Sequence, residues 1–176
     1  MSSEQLNRIR ENLLLQLKQF DVSVIGKFIP RKIIPPIYFL LALSTMAALA
    51  HYMPMSHLIY VPLRVFGGLL VFAGFCISAS GAYTFKLSGT PVKPFEPPVK
   101  LVTDELYRYS RNPMYLGMLI MLTGTWIALG SLSPIFVIPV FFIIIQEGFI
   151  RYEEELLEKT FGNDYISYKS RVRRWV

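Results

Sequence analysis

Three long stretches of the chain carry no charged residue, and these stretches predict the helices. No Asp, Glu, Lys or Arg occurs in residues 33–63, 65–85 or 112–146. A helix needs about 20 apolar residues to cross a hydrocarbon core roughly 30 Å thick. The first two stretches each fit one crossing. The third is too long for one crossing and contains Gly130 and Pro134, so it predicts a tight helical hairpin.

The pattern predicts an all-α, polytopic membrane protein with about four transmembrane helices, near residues 34–53, 62–84, 113–130 and 134–150. Each half of the hairpin is short for a full crossing, so tilted or partial insertion stays open. In residues 3–20 apolar side chains recur every three or four positions, which predicts an amphipathic helix lying in the interface. After the last span, residues 151–161 continue as a cytoplasmic helix that Gly162 ends.

The distribution of positive charge predicts the orientation. The Lys and Arg residues precede the first span, lie in residues 86–111, or follow the last span, with Arg64 as the exception. The turns at 54–61 and 130–134 contain none. By the positive-inside rule, both termini and the 86–112 loop are expected to be cytoplasmic, in an inner or cell membrane.

Composition changes this picture little. Hydrophobic residues make up 53% of the chain and charged residues 17%, which is typical of membrane proteins rather than soluble domains. The net charge of +6 therefore reflects topology and attraction to anionic lipid. Because no nucleic-acid-binding motif accompanies it, we expect no nucleic-acid partner.

Metal ligands and common nucleophiles are scarce. The single cysteine, Cys76, lies within the second predicted span, and His51 and His57 flank the outer turn without a nearby carboxylate. This set predicts no metal site and no disulfide. The chain also contains no P-loop, dinucleotide fingerprint, zinc motif or nucleophile elbow.

Two polar segments are left as the candidate site, both on the expected cytoplasmic side. Residues 107–117 join a proline-rich loop to an apolar span and combine arginines, tyrosines and Pro113 at the membrane surface. Glu153 and Glu154 follow the last span by one to two helical turns. A run of three glutamates is commonly a solvated helix face. Carboxylates this close to the hydrocarbon edge, opposite a loop rich in cations, are better candidates for a binding site.

Two sets of residues in these segments carry a family resemblance. The first set is Leu101, Val102, Thr103, Tyr107, Arg111, Asn112, Pro113, Met114, Tyr115 and Gly117. The second set is Glu153, Glu154, Leu157, Phe161, Gly162, Tyr165, Tyr168, Arg174 and Trp175. Together they resemble the membrane methyltransferases that include isoprenylcysteine carboxyl methyltransferase and phosphatidylethanolamine N-methyltransferase. The resemblance covers about residues 85–176, and residues 89–94 are also similar to bacterial members.

The resemblance implies that the C-terminal half binds S-adenosylmethionine at the cytoplasmic edge while a lipid substrate enters from the bilayer. By position, the cofactor-binding residues would be Val99, Lys100, Leu101, Val102, Tyr107, Arg111, Asn112, Pro113, Met114, Tyr115, Gly117, Glu153 and Glu154. Glu153 would pair with the cofactor's cationic groups and Arg111 with its carboxylate. The tyrosines would stack on adenine or face the sulfonium. No catalytic residue is assigned.

The chain then divides into three parts. Residues 1–32 form the N-terminal interfacial segment, residues 33–84 hold two transmembrane helices, and residues 85–176 form the cofactor-binding methyltransferase core with the hairpin and the C-terminal helix.

The chain departs from the family pattern at three places. Asn112 stands where a histidine usually precedes the proline, and residues 104–106 replace a glycine-rich lead. Prenylcysteine-specific members carry an arginine one turn before the glutamate pair, where this chain has Phe149. Arg151 is the nearest substitute, so we predict Arg151 as a substrate-binding residue.

The expected function is that of an integral membrane methyltransferase. It would use S-adenosylmethionine, form S-adenosylhomocysteine, and act on a lipid or lipid-modified small molecule without a metal. O-methylation is slightly favoured over N-methylation, because an amine would first need a base and no histidine is expected on the cytoplasmic face. A sterol-reductase-like, NADPH-dependent oxidoreductase and a non-catalytic membrane scaffold are the alternatives, and cofactor identity separates the three.

Overall fold

The described part of the chain is all-α, as the sequence predicts. The structure, a computed structural model, describes residues 30, 34–55, 61–91 and 96–176. Its α-helices are α1 Pro35–Tyr52, α2 Val61–Leu87, α3 Pro113–Leu129, α4 Val137–Ile145, α5 Arg151–Phe161 and α6 Asn163–Arg171. Two 3-10 turns, Glu105–Arg108 and Ser133–Phe136, and a π-helical turn, Gln146–Ile150, complete the helical structure. No β-strand is assigned in these ranges. The predicted helix of residues 3–20 and His57 lie outside them.

Two helical stretches within the described ranges are long and apolar enough to cross a membrane. They are Leu63–Leu87 and Ser133–Phe161, the second being the continuous rod formed by α4, the π turn and α5. Helix α3 is apolar but shorter. The helices coincide with the four predicted spans to within about three residues at their boundaries, whereas the number of crossings remains a proposal.

Glycines bring α2 and α3 into close antiparallel contact. A Cβ atom added at Gly117 would lie 2.5 Å from the Gly74 carbonyl oxygen, and one added at Gly124 would lie 2.6 Å from the Gly67 carbonyl oxygen. The glycines repeat every seven residues along both helices, so they stay on the shared face. Small residues let helix backbones approach closely within a membrane. This contact sets the end of α2 beside the start of α3, where the Ser78 hydroxyl donates to the Met114 carbonyl at 3.1 Å.

Helices α1 and α4 build the main apolar core together with α3. Met46, Leu122 and Ile145 are completely buried there, and the Phe39 and Phe141 rings meet edge to face at 6.1 Å. Helix α2 instead leaves large apolar side chains such as Phe72 exposed, which suits a helix face against lipid.

Small polar groups close the bundle at the hairpin. Gly130 ends α3 with a φ of 72°, a conformation that favours glycine. The Leu132 amide donates to the Met55 carbonyl at 2.9 Å, and the Ser133 hydroxyl donates to the Leu49 carbonyl at 3.2 Å. The hairpin is thereby attached to the C-terminal end of α1.

At the other end of the bundle, the π turn links the apolar helix α4 to the polar helix α5. A π turn holds an additional residue compared with an α-helical turn. Here it fully buries Phe149 and Ile150 and directs Glu153 and Glu154 towards the start of α3. Gly162, with a φ of 52°, ends α5 where the sequence predicts.

We expect Gly117→Ala to destabilise the protein by about 1–3 kcal/mol, because the added methyl group meets backbone atoms that cannot move independently. Gly68→Ala is the matched control. No atom lies within 4 Å of a Cβ at that position, so the control should be neutral or slightly stabilising. Thermal unfolding of the detergent-solubilised variants measures both effects. Equal unfolding temperatures would show that the α2–α3 contact does not limit stability.

Candidate functional site

A pocket lies at the end of the bundle where α2 finishes, α3 begins and α5 starts. Its space, counted with the open mouth, is about 600 Å³. Its lining residues are Phe85, Pro98, Lys100, Leu101, Val102, Tyr107, Arg111, Asn112, Met114, Tyr115, Glu153, Glu154, Leu157, Tyr165 and Tyr168. The two candidate segments of the sequence therefore meet in one pocket.

Hydrogen bonds to backbone carbonyl oxygens hold the C-terminal tail, residues 172–176, and helix α6 against the segment that precedes α3. The Arg111 amide donates to the Arg173 carbonyl at 3.0 Å. The Asn112 side-chain amide donates to the Arg174 carbonyl at 3.0 Å, so this asparagine acts as a hydrogen-bond donor. The Tyr168 hydroxyl donates to the Tyr107 carbonyl at 2.7 Å. The tail is thus part of the pocket's frame.

A buried cluster of three charges joins the same elements. The Glu154 carboxylate accepts hydrogen bonds from Arg111 (Nη2 to Oε1, 2.7 Å) and from Arg174 (Nη2 to Oε2, 2.6 Å). Burial opposes ionisation of this carboxyl group, but the hydrogen bonds and charges of both arginines outweigh it, so the pKa of Glu154 lies below its usual value. Glu154 is therefore ionised and fully paired.

Each of the three guanidinium nitrogens of Arg111 donates a hydrogen bond to an acceptor within the protein. Besides Glu154, its Nη1 atom donates to the Val172 carbonyl at 2.6 Å and to the Lys169 carbonyl at 3.3 Å. The predicted pairing of Arg111 with a cofactor carboxylate stays a prediction, and the contacts show Arg111 fastening the tail.

Glu153 differs sharply from its neighbour. Its Oε1 atom accepts a hydrogen bond from the Tyr115 hydroxyl at 2.7 Å, and no cation of the described residues forms a salt bridge with it. Burial raises the pKa of Glu153 to about 7, partly offset by the Tyr115 hydrogen bond. The carboxylate lines the pocket, so a positively charged ligand would find a counter-charge there.

Aromatic side chains line the same pocket as this carboxylate. Phe85, Tyr107, Tyr115, Tyr165 and Tyr168 all line the pocket, and the Phe85 and Tyr107 ring centroids lie 5.2 Å apart. Aromatic faces attract cations and stack on planar groups. An acidic group among aromatic rings suits a ligand that carries positive charge and an aromatic ring.

Four predicted site residues lie away from the pocket lining. Val99 is exposed, and its amide donates to Thr90. Pro113 is buried at the first turn of α3, and Gly117 lies in the α2–α3 contact. Arg151 is about half exposed and forms a 2.6 Å ion pair with Glu147. The functional roles predicted for these four stay predictions.

Conversely, the pocket includes residues that were not predicted as cofactor contacts. Leu157, Tyr165 and Tyr168 were among the resemblance residues, and their spacing of three to four along helices was the available signal. Phe85 and Pro98 carried no such signal, because they reach the pocket through the end of α2 and the fold of the loop after it.

One departure from the family pattern, at residues 104–106, lies in the turn that precedes residues 107–117. Glu105 adopts a φ of 52°, a left-handed conformation that glycine adopts more readily. A glutamate therefore occupies a backbone conformation here that favours glycine.

No group of three or more His, Cys, Asp or Glu residues placed to hold a metal ion occurs in the described ranges.

Comparisons with known proteins identify relatives of this chain. A family model described as phospholipid methyltransferase matches residues 63–164, more than half of the chain. Protein-S-isoprenylcysteine O-methyltransferase B of Arabidopsis thaliana is 40% identical over 76 residues, which cover 42% of this chain and 37% of that protein. Protein-S-isoprenylcysteine O-methyltransferase of Schizosaccharomyces pombe is 37% identical over 76 residues, which cover 41% and 30%. An uncharacterized protein of Haemophilus influenzae is 36% identical over 63 residues, all of its length.

The matches therefore span only about a third of the length of these isoprenylcysteine methyltransferases. No solved structure matches the chain.

We expect the neighbouring substitutions Glu153→Gln and Glu154→Gln to change stability in opposite directions at pH 8. The folded-state pKa of Glu153 is about 7, above its ordinary value of 4.5, so the protein loses stability as pH rises from about 4.5 to about 7, and the loss is complete above that range. Glu153→Gln should therefore stabilise the protein by about 1–2 kcal/mol. Glu154→Gln leaves two arginines without their anion and should destabilise it by about 3 kcal/mol.

Thermal unfolding at pH 8 and pH 5 measures these effects. At pH 5 folded Glu153 is already protonated, so the gain from Glu153→Gln should largely disappear, while the loss from Glu154→Gln persists. Effects of equal sign for both variants would contradict the assignment of one paired and one unpaired carboxylate.

Proposed function

The chain belongs to the phospholipid methyltransferase family, and we propose that it is an integral membrane, S-adenosylmethionine-dependent methyltransferase acting on a lipid-soluble acceptor. Family membership confirms the resemblance found in the motif residues. The relatives named as isoprenylcysteine O-methyltransferases support a lipid-modified acceptor.

The observation that carries the proposal is the partly buried Glu153 carboxylate, which has no salt-bridge partner among the described residues and lies in a pocket lined by aromatic side chains. A buried carboxylate without a cation is unfavourable unless a ligand supplies the charge. S-adenosylmethionine carries a sulfonium, an ammonium and an adenine ring. The carboxylate and the aromatic lining therefore match the cationic groups and the aromatic ring of this cofactor.

When bound, S-adenosylmethionine supplies a methyl group on a cationic sulfur, which the acceptor takes while the C–S electron pair returns to sulfur. Such a displacement depends chiefly on alignment of the reacting atoms and exclusion of water. Tyr115 supports alignment by fixing the Glu153 carboxylate through its 2.7 Å hydrogen bond. The cluster of Glu154, Arg111 and Arg174 supports the alignment by holding α5 and the tail against the turn that precedes α3.

We propose O-methylation in preference to N-methylation. An anionic oxygen meeting a sulfonium loses charge in the transition state, so a dry pocket favours it. The residues that line the pocket in the described part of the chain include no histidine that would deprotonate an amine. Arg151 is the proposed substrate contact, since it is about half exposed beside the start of α5.

We further propose four crossings of an inner or cell membrane, with both termini and the pocket on the cytoplasmic side. The positive-inside distribution of Lys and Arg supports this orientation. The pocket would then lie at the membrane surface, open to a water-soluble cofactor and to a lipid acceptor.

Calorimetric titration with S-adenosylmethionine and S-adenosylhomocysteine tests the cofactor. We expect both to bind, and Glu153→Gln to weaken S-adenosylmethionine binding at pH 8 about tenfold or more, the usual loss for a charge-assisted hydrogen bond. Glu155→Gln is the matched control, because Glu155 is an exposed neighbour on the same helix. If the folded protein bound neither ligand, the proposal would be wrong and NADPH would be the next ligand to test.

The pH dependence of binding provides an independent test. A cationic ligand binds the ionised form of Glu153, whose pKa is about 7. Affinity should therefore fall about tenfold from pH 8 to pH 6. The Glu153→Gln variant should keep only the pH dependence that belongs to the ligand. Identical profiles for the wild-type protein and the variant would separate Glu153 from ligand binding.

A labelled methyl group identifies the acceptor. Vesicles containing either S-farnesylcysteine or phosphatidylethanolamine are incubated with protein and methyl-labelled S-adenosylmethionine. A carboxyl methyl ester releases its label as methanol in base, whereas an N-methyl group keeps it. We expect base-labile label on S-farnesylcysteine. Base-stable label on phosphatidylethanolamine would overturn the preference for O-methylation.

A further inference from the structure

The Tyr165 hydroxyl lies at the pocket, buried and without a hydrogen-bond partner. The Tyr165 side chain is 1% exposed and lines the pocket, and its oxygen has no partner among the described residues. Buried polar groups in folded proteins are nearly always hydrogen-bonded, and leaving one unsatisfied is costly. The Trp126 indole nitrogen also lacks a partner among the described residues but does not line the pocket, so it is the position of the Tyr165 hydroxyl at the pocket that points to a ligand as its missing partner.

Tyr168 provides an internal comparison. It lies three residues later on α6, is almost as buried, and lines the same pocket. Its hydroxyl donates to the Tyr107 carbonyl at 2.7 Å. Packing of α6 thus satisfies one of two adjacent tyrosines, so burial alone does not explain the unpartnered hydroxyl of the other.

The charges near Tyr165 are net positive. Those that act on its hydroxyl belong to Glu154, Arg111 and Arg174, one carboxylate against two guanidinium groups. The Lys169 ammonium also lies 5.9 Å from the Tyr165 ring centroid. Burial, aided by the Glu154 charge, raises the pKa of Tyr165. The hydroxyl therefore keeps its proton and can act as a hydrogen-bond donor.

The opposite polarity occurs around Glu153, which contacts Tyr115 and has no salt-bridge partner among the described residues. The pocket therefore has an acidic part at Glu153 and, at Tyr165, a hydroxyl donor with no partner among the described residues. A ligand with an ammonium and a carboxylate on one short chain matches this polarity.

We propose that the Tyr165 hydroxyl donates a hydrogen bond to the carboxylate of the cofactor's amino-acid moiety, while Glu153 takes the cationic groups. The proposal rests on the proposed function, since it requires that the pocket bind S-adenosylmethionine. It assigns the carboxylate to a residue other than Arg111, whose guanidinium is already bonded to Glu154, Lys169 and Val172.

The test compares two ligands on the variant Tyr165→Phe, which lacks only the hydroxyl. S-adenosylhomocysteine carries the amino-acid moiety, and 5′-methylthioadenosine lacks it. By calorimetry, we expect the substitution to weaken S-adenosylhomocysteine binding about tenfold or more, as for a hydrogen bond to a charged group. Binding of 5′-methylthioadenosine should stay unchanged.

Thermal unfolding without ligand distinguishes a binding role from a structural role. Removing an unpartnered hydroxyl should leave the unfolding temperature of Tyr165→Phe unchanged or raise it. Tyr168→Phe is the matched control and should lower the unfolding temperature, because the Tyr107 carbonyl loses its donor.

Three results would overturn the inference. Unchanged S-adenosylhomocysteine affinity would show that the hydroxyl does not contact the ligand. Equal losses for both ligands would place the contact on the adenosine. A lower unfolding temperature for Tyr165→Phe, matching that of Tyr168→Phe, would show that the hydroxyl already has a partner within the protein. If the wild-type protein bound no S-adenosylhomocysteine, the proposed function would fail first and this inference with it.

Discussion

The geometry of the pocket depends on the ion cluster at Glu154. Arg111 precedes α3, Glu154 lies on α5 and Arg174 lies in the tail, so one carboxylate joins three elements that are distant in sequence. The side chains of Arg111 and Glu154 are only about a tenth exposed. Burying these charges is favourable only while all three remain paired. The cluster therefore fixes the tail relative to the turn that precedes α3.

This arrangement leaves two adjacent glutamates with different physical roles. Consecutive residues on an α-helix point about 100° apart. Glu154 faces the tail and its arginines, while Glu153 faces Tyr115 and the pocket. The first carboxylate is stabilised by countercharges within the protein, and the second is destabilised by burial. A cationic ligand that pairs with Glu153 would relieve this destabilisation, and the free energy so gained would add to its binding affinity.

The sequence predicted the positions of the helices well, because nearly every residue of a helix that faces lipid has to be uncharged. The absence of charge located α1, α2 and α3, and Gly162 marked the end of α5. The motif residues likewise predicted most of the pocket lining, since a binding motif specifies residue type and order together.

It was harder to predict which side chains contact each other. The sequence identified Arg111 and Glu154 as chemically competent residues, but it did not show that they pair with each other across 43 positions. Gly117 was predicted as a cofactor contact, whereas its place in the α2–α3 contact follows from a seven-residue glycine repeat that becomes informative once two helices are paired. The unpartnered hydroxyl of Tyr165 has no counterpart in sequence pattern, because it depends on which acceptors the fold leaves out of reach.

The π turn at Gln146–Ile150 bears on how such a site changes during evolution. Adding or removing one residue in a helix rotates everything after it by about 100° and shifts it by about 1.5 Å. Changing the length of this turn by a single residue would therefore turn a different side chain of α5 towards the pocket without altering α4 or the apolar core. Relatives that share the helices could then differ in which acidic residue faces the pocket, through one codon gained or lost within the π turn.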